Sequence, residues 1–176
     1  MSATLPPLAT LRTAETRADI AAARALFTEY ARWLAVDLCF QGFETELATL
    51  PGAYAPPRGR LLLAGVPPAA FGCIALRPLA MLDACRGDAR PSDRSDTVGE
   101  VKRLYVHPAR RGEGWGRRLA ESLVAEARTI GYRELKLDTL EWMNDARKLY
   151  GKLGFRECAA YYDNPLPGVV YMALEL

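Results

Sequence analysis

The stretch Val106–Ala127, VHPARRGEGWGRRLAESLVAEA, joins a strand-like run to an amphipathic helix through three alternating glycines and four arginines. A helix N-terminus leaves main-chain N–H groups without partners and carries a partial positive charge, so it favours anions. Glycine lets the main chain approach an anion without a clash from Cβ. The stretch therefore predicts either a turn with solvated arginines or a cradle for a phosphate. It has neither the GK[ST] ending of a P-loop nor the GxGxxG spacing of a dinucleotide site.

Outward from this turn, strand-like and helix-like runs alternate along the chain. Apolar spacing predicts a first helix over about Ala18–Asp37, and FQGFETELATLPG predicts a second, short one. Further helices are predicted over Gly114–Gly131 and Asn144–Gly154, and residues 82–99 predict a surface loop, with a gating flap or a docking site as alternatives. The predicted strands are Leu8–Arg12 and residues 60–66, 70–79, 100–106, 133–140, 155–162 and 168–176. The order β-α-α-β-β-β-α-β-α-β-β predicts one domain, residues 1–176, of the α/β (α+β) class, with helices covering a mixed sheet.

The composition is that of a globular protein, since half of the 176 residues are hydrophobic and the formal net charge is +2. So small a charge predicts no broad attraction to nucleic acid. The N-terminus lacks the pattern of a secretory signal, and no window reaches the roughly 18 apolar residues of a membrane span. Four cysteines without a CxxC pair and a single histidine predict reduced thiols and no metal site. These features predict a cytoplasmic protein with no membrane partner.

Two segments carry a resemblance to a known family. The run VKRLYVHPARRGEGWGRRLAESLVAEA resembles the first signature of the GNAT acetyltransferase superfamily, a strand ending in L-x-V-x-P, then [QR]-x-x-G-x-[GA] and a helix. The segment ARKLYGKLGF resembles the second signature, A-x-x-L-Y-x-x-x-G-F. The matched positions are Leu104, Val106, Pro108, Arg111, Gly114, Gly116, Ala146, Leu149, Tyr150, Gly154 and Phe155. The resemblance covers nearly the whole chain. It implies a GNAT-like, largely antiparallel central sheet of about seven strands flanked by about four helices, and it favours the phosphate cradle.

The resemblance implies that acetyl-CoA binds as co-substrate, without a metal. In the family the glycine turn holds the pyrophosphate through main-chain N–H groups, and the pantetheine arm pairs with a strand that a bulge separates from the next, here around Leu135–Asp138. By position, the residues that would contact the cofactor are Leu104, Tyr105, Val106, Arg111, Gly112, Gly114, Trp115, Gly116, Arg117 and Tyr150. The amide of Val106, or of a near neighbour, would polarise the thioester carbonyl. Many relatives have an asparagine where this chain has Met143, so either Met143 packs against the arm or Asn144 substitutes.

Two residues are candidates for proton transfer. An amine must lose a proton before it attacks, and Glu100 stands where some relatives have a catalytic glutamate. Glu100 is therefore either a base acting through a water or a strand-edge carboxylate paired with Lys102 or Arg103. Tyr150 matches the family's general acid, which protonates the departing CoA thiolate, and its alternative is a core tyrosine.

Two aromatic segments are candidates for the walls of an acceptor pocket. DLCFQGFETEL offers Phe40 and Glu44, whose carboxylate could hold an ammonium, and AYYDNPLPGVVY offers Tyr161 and Tyr162. Core aromatics and an ordinary turn are the alternatives. Arg103 is a candidate for binding a carboxylate of the acceptor, and its alternative is a surface partner of Glu100.

The leading hypothesis is an acetyl-CoA-dependent N-acetyltransferase that moves an acetyl group to a primary amine of a small molecule by direct transfer in a ternary complex. The alternatives are a protein or peptide N-acetyltransferase of the same fold and a non-catalytic acyl-CoA-binding protein. A nucleic-acid module is disfavoured by the near-neutral charge. The resemblance also leads us to expect a homodimer.

Overall fold

The structure, a computed structural model, describes residues 10–36, 38, 42–79 and 97–176. Its strands are β1 Leu11–Thr13, β2 Arg60–Ala64, β3 Gly72–Pro78, β4 Val98–Val106, β5 Glu134–Leu140, β6 Arg156–Glu157 and β7 Val169–Glu175. Its helices are α1 Arg17–Leu34, α2 Phe43–Thr49, α3 Trp115–Ile130 and α4 Asn144–Lys152, with short 3-10 helices at Gly52–Tyr54 and Pro108–Arg110. The order of strands and α-helices is the predicted one.

The strands form one seven-stranded sheet in the order β1-β2-β3-β4-β5-β7-β6. Neighbouring strands are antiparallel, except that β4 and β5 are parallel. A parallel pair needs a crossover connection, and α3 lies between these two strands in the chain. This mixed, largely antiparallel sheet with its helices confirms the predicted fold class.

The sheet separates two apolar cores. Successive side chains of a strand point to opposite faces, so the leucine run of β2 contributes to both. Leu62 and Ile74 pack in the core that contains Leu119 of α3, whereas Leu63 packs in the core that contains Phe27 of α1. Helices therefore cover both faces of the sheet.

The limits of α1 and α3 follow from their terminal residues. At the start of α1, the hydroxyl of Thr16 accepts from the Asp19 amide at 3.1 Å, and the Asp19 carboxylate accepts from the Thr16 amide at 2.9 Å. The helix ends at Leu34, three residues before the predicted end, because Ala35 adopts a left-handed φ of 54°. Gly131, with a φ of 97°, closes α3 where the sequence predicts it.

Two predicted segments have other end residues in the structure than the sequence predicts. The predicted strand 155–162 contains only Arg156–Glu157 as β6, because the tyrosines that follow turn toward buried carboxylates of the sheet. The predicted loop 82–99 lies outside the described residues up to residue 96, and Val98 and Gly99 begin β4.

Candidate active site

The two central strands, β4 and β5, pair along their first part only. Their parallel register runs from Val98 opposite Glu134 to Glu100 opposite Lys136. Beyond that point, β4 continues to Val106 with no further pair to β5 among the described residues. Main-chain N–H and C=O groups therefore remain on the two facing edges. A gap opens in the middle of the sheet.

A bulge in β4 accompanies this gap. Cys73 of β3 pairs with Tyr105, and Ala75 pairs with Lys102, so β4 contains one residue more than β3 across the same distance. Arg103 lies within the bulge and has a left-handed φ of 60°, which is uncommon for a residue with a long side chain. Bulges increase the local twist of a strand and bend it. The bulge that the family resemblance implied is thus present at Arg103.

The gap contains a groove with two adjoining chambers. The outer chamber has a volume of about 510 Å³ and lies between β4 and the start of α4. The inner chamber has a volume of about 50 Å³ and lies deeper between β4 and β5. The residues that line both chambers are Leu104, Met143 and Ala146.

The chambers bring together residues that are far apart in sequence. The outer chamber is lined by Trp33, Leu104, Tyr105, Val106, Arg111, Trp142, Met143, Asn144, Asp145, Ala146 and Leu149. The inner chamber is lined by Tyr30, Leu34, Leu38, Val101, Lys102, Arg103, Leu104, Asp138, Thr139, Leu140, Met143, Ala146, Tyr150 and Leu166. The predicted cofactor residues of β4, together with Arg111 and Met143, thus lie in the outer chamber, and Tyr150 lies in the inner one.

The glycine turn places amides without partners at the start of α3. Gly112 and Gly114 have left-handed φ values of 82° and 80°, which residues with a side chain rarely adopt. No described residue accepts a hydrogen bond from the main-chain amides of residues 112–117. At Gly116, a Cβ would lie 3.7 Å from a methyl group of Leu149. The turn therefore presents N–H groups and the positive end of the α3 dipole to solvent.

Trp115, the first residue of α3, fixes this turn to the core. Its side chain is buried and its ring centre lies 5.1 Å from that of Phe71. Its indole N–H donates to the Glu113 carboxylate at 3.0 Å. The predicted turn residue therefore has a packing role in the structure.

The predicted arginines of the turn differ in their surroundings. The Nε of Arg111 donates to the carbonyl of Val106 at 3.0 Å, and its guanidinium lies 4.5 Å from the ring centre of Trp33. Arg117 pairs with Glu121 one helical turn later at 2.7 Å, at an exposed position. Arg111 is thus directed at the outer chamber, whereas the side chain of Arg117 is directed along the helix surface.

Tyr150 lies on α4 at the wall of the inner chamber. Its side chain is buried and packs against Phe155 with ring centres 5.4 Å apart. Burial, and then the nearby Tyr30 and the Asp138 carboxylate, raise the pKa of the Tyr150 phenol above its usual value. The phenol therefore carries its proton at neutral pH. Tyr150 is thus a core tyrosine, as one interpretation predicts, and because it also lines the inner chamber its role as general acid stays a prediction.

Glu100 is fully buried on β4 and lines neither chamber. Its Oε2 accepts from Arg77 at 2.7 Å, and its Oε1 accepts from the hydroxyl of Tyr161 at 3.1 Å and lies 3.4 Å from the Lys102 ammonium. Of the two predicted ion-pair partners of Glu100, Lys102 is therefore the one that lies beside it. The alternative pair with Arg103 does not form, because the bulge turns that side chain elsewhere.

Arg103 forms a buried ion pair with a residue that the sequence interpretation missed. Its guanidinium donates to both oxygens of Glu46, at 2.9 and 2.5 Å, and lies 5.0 Å from the ring centre of Phe43. Burial opposes ionisation of Glu46, but the hydrogen bonds and charge of Arg103 outweigh it and lower the pKa of that carboxyl. Glu44, the predicted ammonium partner, is instead exposed, since residues two apart on a helix face different directions. Phe40 lies outside the described residues.

Asp138 is the carboxylate that lines the inner chamber. The Lys102 ammonium donates to it at 2.8 Å, and Asn164 donates to the hydroxyl of Tyr162 at 2.8 Å. Burial opposes ionisation of Asp138, but the charge and hydrogen bond of Lys102 and a hydrogen bond with Tyr162 lower its pKa. Tyr162 therefore supports the chamber from behind, and neither it nor Tyr161 lines the chamber wall.

Asp138 and Lys102 were not among the predicted site residues, although the sequence carries a signal for them. In β5, RELKLDTL alternates leucines with charged residues, which indicates one apolar and one charged face. Asp138 is the last charged residue on that face, at the point where β5 leaves β4.

Met143 and Asn144, the two residues considered for the asparagine position of relatives, both lie at the groove, and which of them would contact the arm stays a prediction. Met143 lines both chambers, and its sulfur lies 3.6 Å from the hydroxyl of Thr139. Asn144 is the first residue of α4 and lines the outer chamber.

Across residues 10–36, 38, 42–79 and 97–176, no group of three or more histidine, cysteine, aspartate or glutamate side chains is arranged to hold a metal ion. Within the same ranges, no helix has the length and apolar character needed to cross a bilayer.

Comparison with known proteins assigns this fold to a family. The Acetyltransferase (GNAT) family model matches residues 20–155. An uncharacterized N-acetyltransferase of Schizosaccharomyces pombe is 36% identical over 152 residues, which cover 86% of this chain and 85% of the relative. Among solved structures, a Klebsiella pneumoniae protein described as an acyl-CoA N-acyltransferase is 25% identical, with a TM-score of 0.62 over 96% of this chain and 98% of the other. A Salmonella typhimurium protein described as an acetyltransferase, whose structure contains acetyl-CoA, is 21% identical, with a TM-score of 0.67 over 95% of this chain and 93% of the other.

The fold and the groove define a class of acyl-CoA-using transferases, and these matches give the family. The chain belongs to the GNAT family of acetyltransferases.

Proposed function

We propose that this protein transfers an acetyl group from acetyl-CoA to a primary amine of a small molecule, by direct transfer in a ternary complex. The observation that carries the proposal is the gap between β4 and β5, whose two chambers share part of their walls and are lined by Arg111, next to the glycine turn, at one end and by Tyr150 at the other. Acetyl-CoA supplies the activated acetyl thioester.

The residues of this chain fit acetyl-CoA at both ends of the groove. At the turn, Gly112 and Gly114 keep bare main chain in a left-handed conformation, with a following run of amides that no described residue accepts from. Such amides at a helix N-terminus favour a diphosphate. Along the outer chamber, the edge of β4 from Leu104 to Val106 has main-chain groups available for the amides of the pantetheine arm.

At the inner end, the structure supports a division of roles between two groups. The Tyr150 phenol is protonated. In the proposal it donates this proton to the thiolate that leaves as the amine nitrogen bonds to the acetyl carbon and the C–S bond breaks, and the proton that the nitrogen loses returns to the phenolate. The ionised Asp138 lines the same chamber and orients the acceptor by its charge. Glu100 lies behind the wall, and in the proposal it positions Lys102 and the Tyr161 hydroxyl rather than acting directly as the base.

The dimensions of the inner chamber favour a small acceptor over a peptide. Its volume of about 50 Å³ is bounded by side chains from α1, β4, β5 and α4. An extended peptide would need an open groove at this end. The buried placement of Tyr150 at the chamber favours catalysis over mere binding of an acyl-CoA.

The first experiment is calorimetric titration of CoA into the purified protein, followed by acetyl-CoA with a panel of amines, amino acids and peptides while release of the CoA thiol is followed. We expect CoA binding and acetyl-dependent thiol release with small amines. Absence of CoA binding would contradict the proposal. Release of the CoA thiol with peptides but not with small amines would mean that the acceptor is a peptide.

Substitution of Tyr150→Phe tests the role of the phenol. We expect kcat to fall by about 10²- to 10⁴-fold, the usual contribution of a positioned general acid, with the Kd for CoA unchanged. The matched control is Tyr132→Phe, which removes the hydroxyl of another buried tyrosine that lines neither chamber. Equal kcat values for the two variants would remove Tyr150 from the mechanism.

A further inference from the structure

The mouth of the outer chamber carries two exposed tryptophans in contact with each other. Trp33 of α1 is 38% exposed and Trp142, two residues after β5, is 53% exposed. Apart from Val66, they are the exposed large hydrophobic residues of the described chain. Their ring centres lie 5.7 Å apart at an interplanar angle of 56°. Exposed aromatic surface concentrated at one place marks a binding site.

These rings span the gap between the separating strands. Trp33 packs against Tyr105 of β4, with ring centres 6.4 Å apart. Trp142 belongs to the turn that joins β5 to α4. Because both side chains line the outer chamber, their contact connects the β4 side of the groove to the β5 side. They lie over the part of the groove where main-chain edges are unpaired.

Arg111 connects this aromatic pair to the glycine turn. Its guanidinium lies on Trp33, 4.5 Å from the ring centre, while its Nε donates to the last carbonyl of β4, that of Val106. A cation over a tryptophan face is attracted by the ring. Arg111, which lies next to the glycine turn in sequence, therefore contacts both the edge of β4 and the aromatic pair.

We propose that Trp33 and Trp142 form an aromatic roof that closes over the pantetheine arm of acetyl-CoA and holds it against the edge of β4. This inference rests on the proposed function and adds two binding residues to it. The occupant is the arm rather than the nucleotide, because the roof lies over the outer chamber, whereas the free amides that suit the diphosphate lie at the turn. Covering the arm also removes exposed aromatic surface from water.

The test compares two ligands on matched variants by calorimetry. CoA contains the arm, and adenosine 3′-phosphate 5′-diphosphate lacks it. In the double variant Trp33→Ala/Trp142→Ala, we expect the Kd for CoA to rise about tenfold, in the range of two aromatic contacts, with the Kd for the nucleotide within about twofold. The single variant Trp142→Phe, which keeps a ring, should retain most of the CoA affinity. The control Val66→Ala removes an exposed hydrophobic residue that lines neither chamber and should bind both ligands as the wild type does.

Tryptophan fluorescence gives a second readout. The chain has three tryptophans, and the third, Trp115, is buried. Addition of CoA should change the emission of the wild type, and the nucleotide without the arm should change it much less. An unchanged Kd for CoA in the double variant, or equal weakening of both ligands, would overturn the roof. Failure of the wild type to bind CoA would instead overturn the proposed function.

Discussion

The glycine turn presents main-chain amides at the start of α3, whereas the inner end of the groove is shaped by buried charged side chains. At the turn, the left-handed conformations of Gly112 and Gly114 set the local geometry, and Trp115 fixes the turn to the core. At the inner end, the Glu46–Arg103 and Lys102–Asp138 pairs join residues from distant parts of the chain.

The glycine turn and the inner end of the groove therefore differ in how well they tolerate substitutions. Main-chain amides survive most substitutions nearby, provided that glycine keeps the left-handed conformation. A buried ion pair requires both partners, because removing one leaves an uncompensated charge in a medium of low dielectric. We therefore expect the inner end to be more sensitive to substitution than the turn.

The largest expected effect is on the Glu46–Arg103 pair. Glu46→Ala leaves the buried guanidinium of Arg103 without its partner, and we expect the free energy of unfolding to fall by about 3–5 kcal/mol. Glu44→Ala, two residues earlier on the same helix and exposed, should change it by less than about 0.5 kcal/mol. Urea unfolding of both variants measures the difference. Similar values for the two would show that the inner end does not depend on this pair.

A smaller effect is expected from Asp138, together with a pH dependence. Because its pKa is lowered in the folded protein, its contribution to stability is complete above the unfolded pKa of about 3.9 and is lost as the pH falls through the folded value. Asp138→Asn should lower the free energy of unfolding at pH 7 by about 2 kcal/mol. It should also make the loss of stability below pH 4 less steep. Unfolding curves from pH 7 to pH 2 check both, with the exposed Asp163→Asn as control; parallel pH profiles for Asp138→Asn and the wild type would contradict the expectation.

The smallest effect on stability is expected at the turn. Gly114→Ala forces a side chain into a left-handed conformation at a cost of about 1–2 kcal/mol, and relief of that strain would displace the amides. We expect a small decrease in Tm and an increase of about tenfold in the Kd for CoA. Gly151→Ala is the matched control, since it places a methyl group in open space on α4 without a left-handed φ. That variant should be slightly stabilised and should bind CoA normally. An unchanged Kd for CoA in the Gly114→Ala variant would contradict a role of the turn in binding the diphosphate.

Much of the fold follows from local patterns that the sequence displays. The alternation in β5 and the apolar face of α3 are periodic, and periodicity identifies the element type directly. The predicted order of elements and the fold class are confirmed for that reason. The predicted ends of helices and strands are less accurate where tertiary contacts override local preference. The strand predicted after Phe155 is short because Tyr161 and Tyr162 turn inward to carboxylates on β4 and β5.

The site divides in the same way. The predicted cofactor residues of the turn and of β4 are contiguous in sequence, so a motif could identify them as candidates. Glu46 and Asp138 could not be identified in that manner, because each is defined by a partner more than thirty residues away. The aromatic segment led to Glu44 rather than Glu46 as the predicted pocket carboxylate, because which side of a helix is buried depends on what packs beside it.

By itself, the sequence determined the alternation of strands and helices, the glycine turn before α3 and the position of Tyr150 in a family signature, because these depend on residues within a few turns or strand repeats. Only the tertiary structure decided that β4 leaves β5 after Glu100, that Trp33 meets Trp142 over the gap, and which carboxylate faces the inner chamber. Those features depend on distant segments that meet only when the sheet is assembled, and no local pattern encodes which of several similar side chains will be buried there.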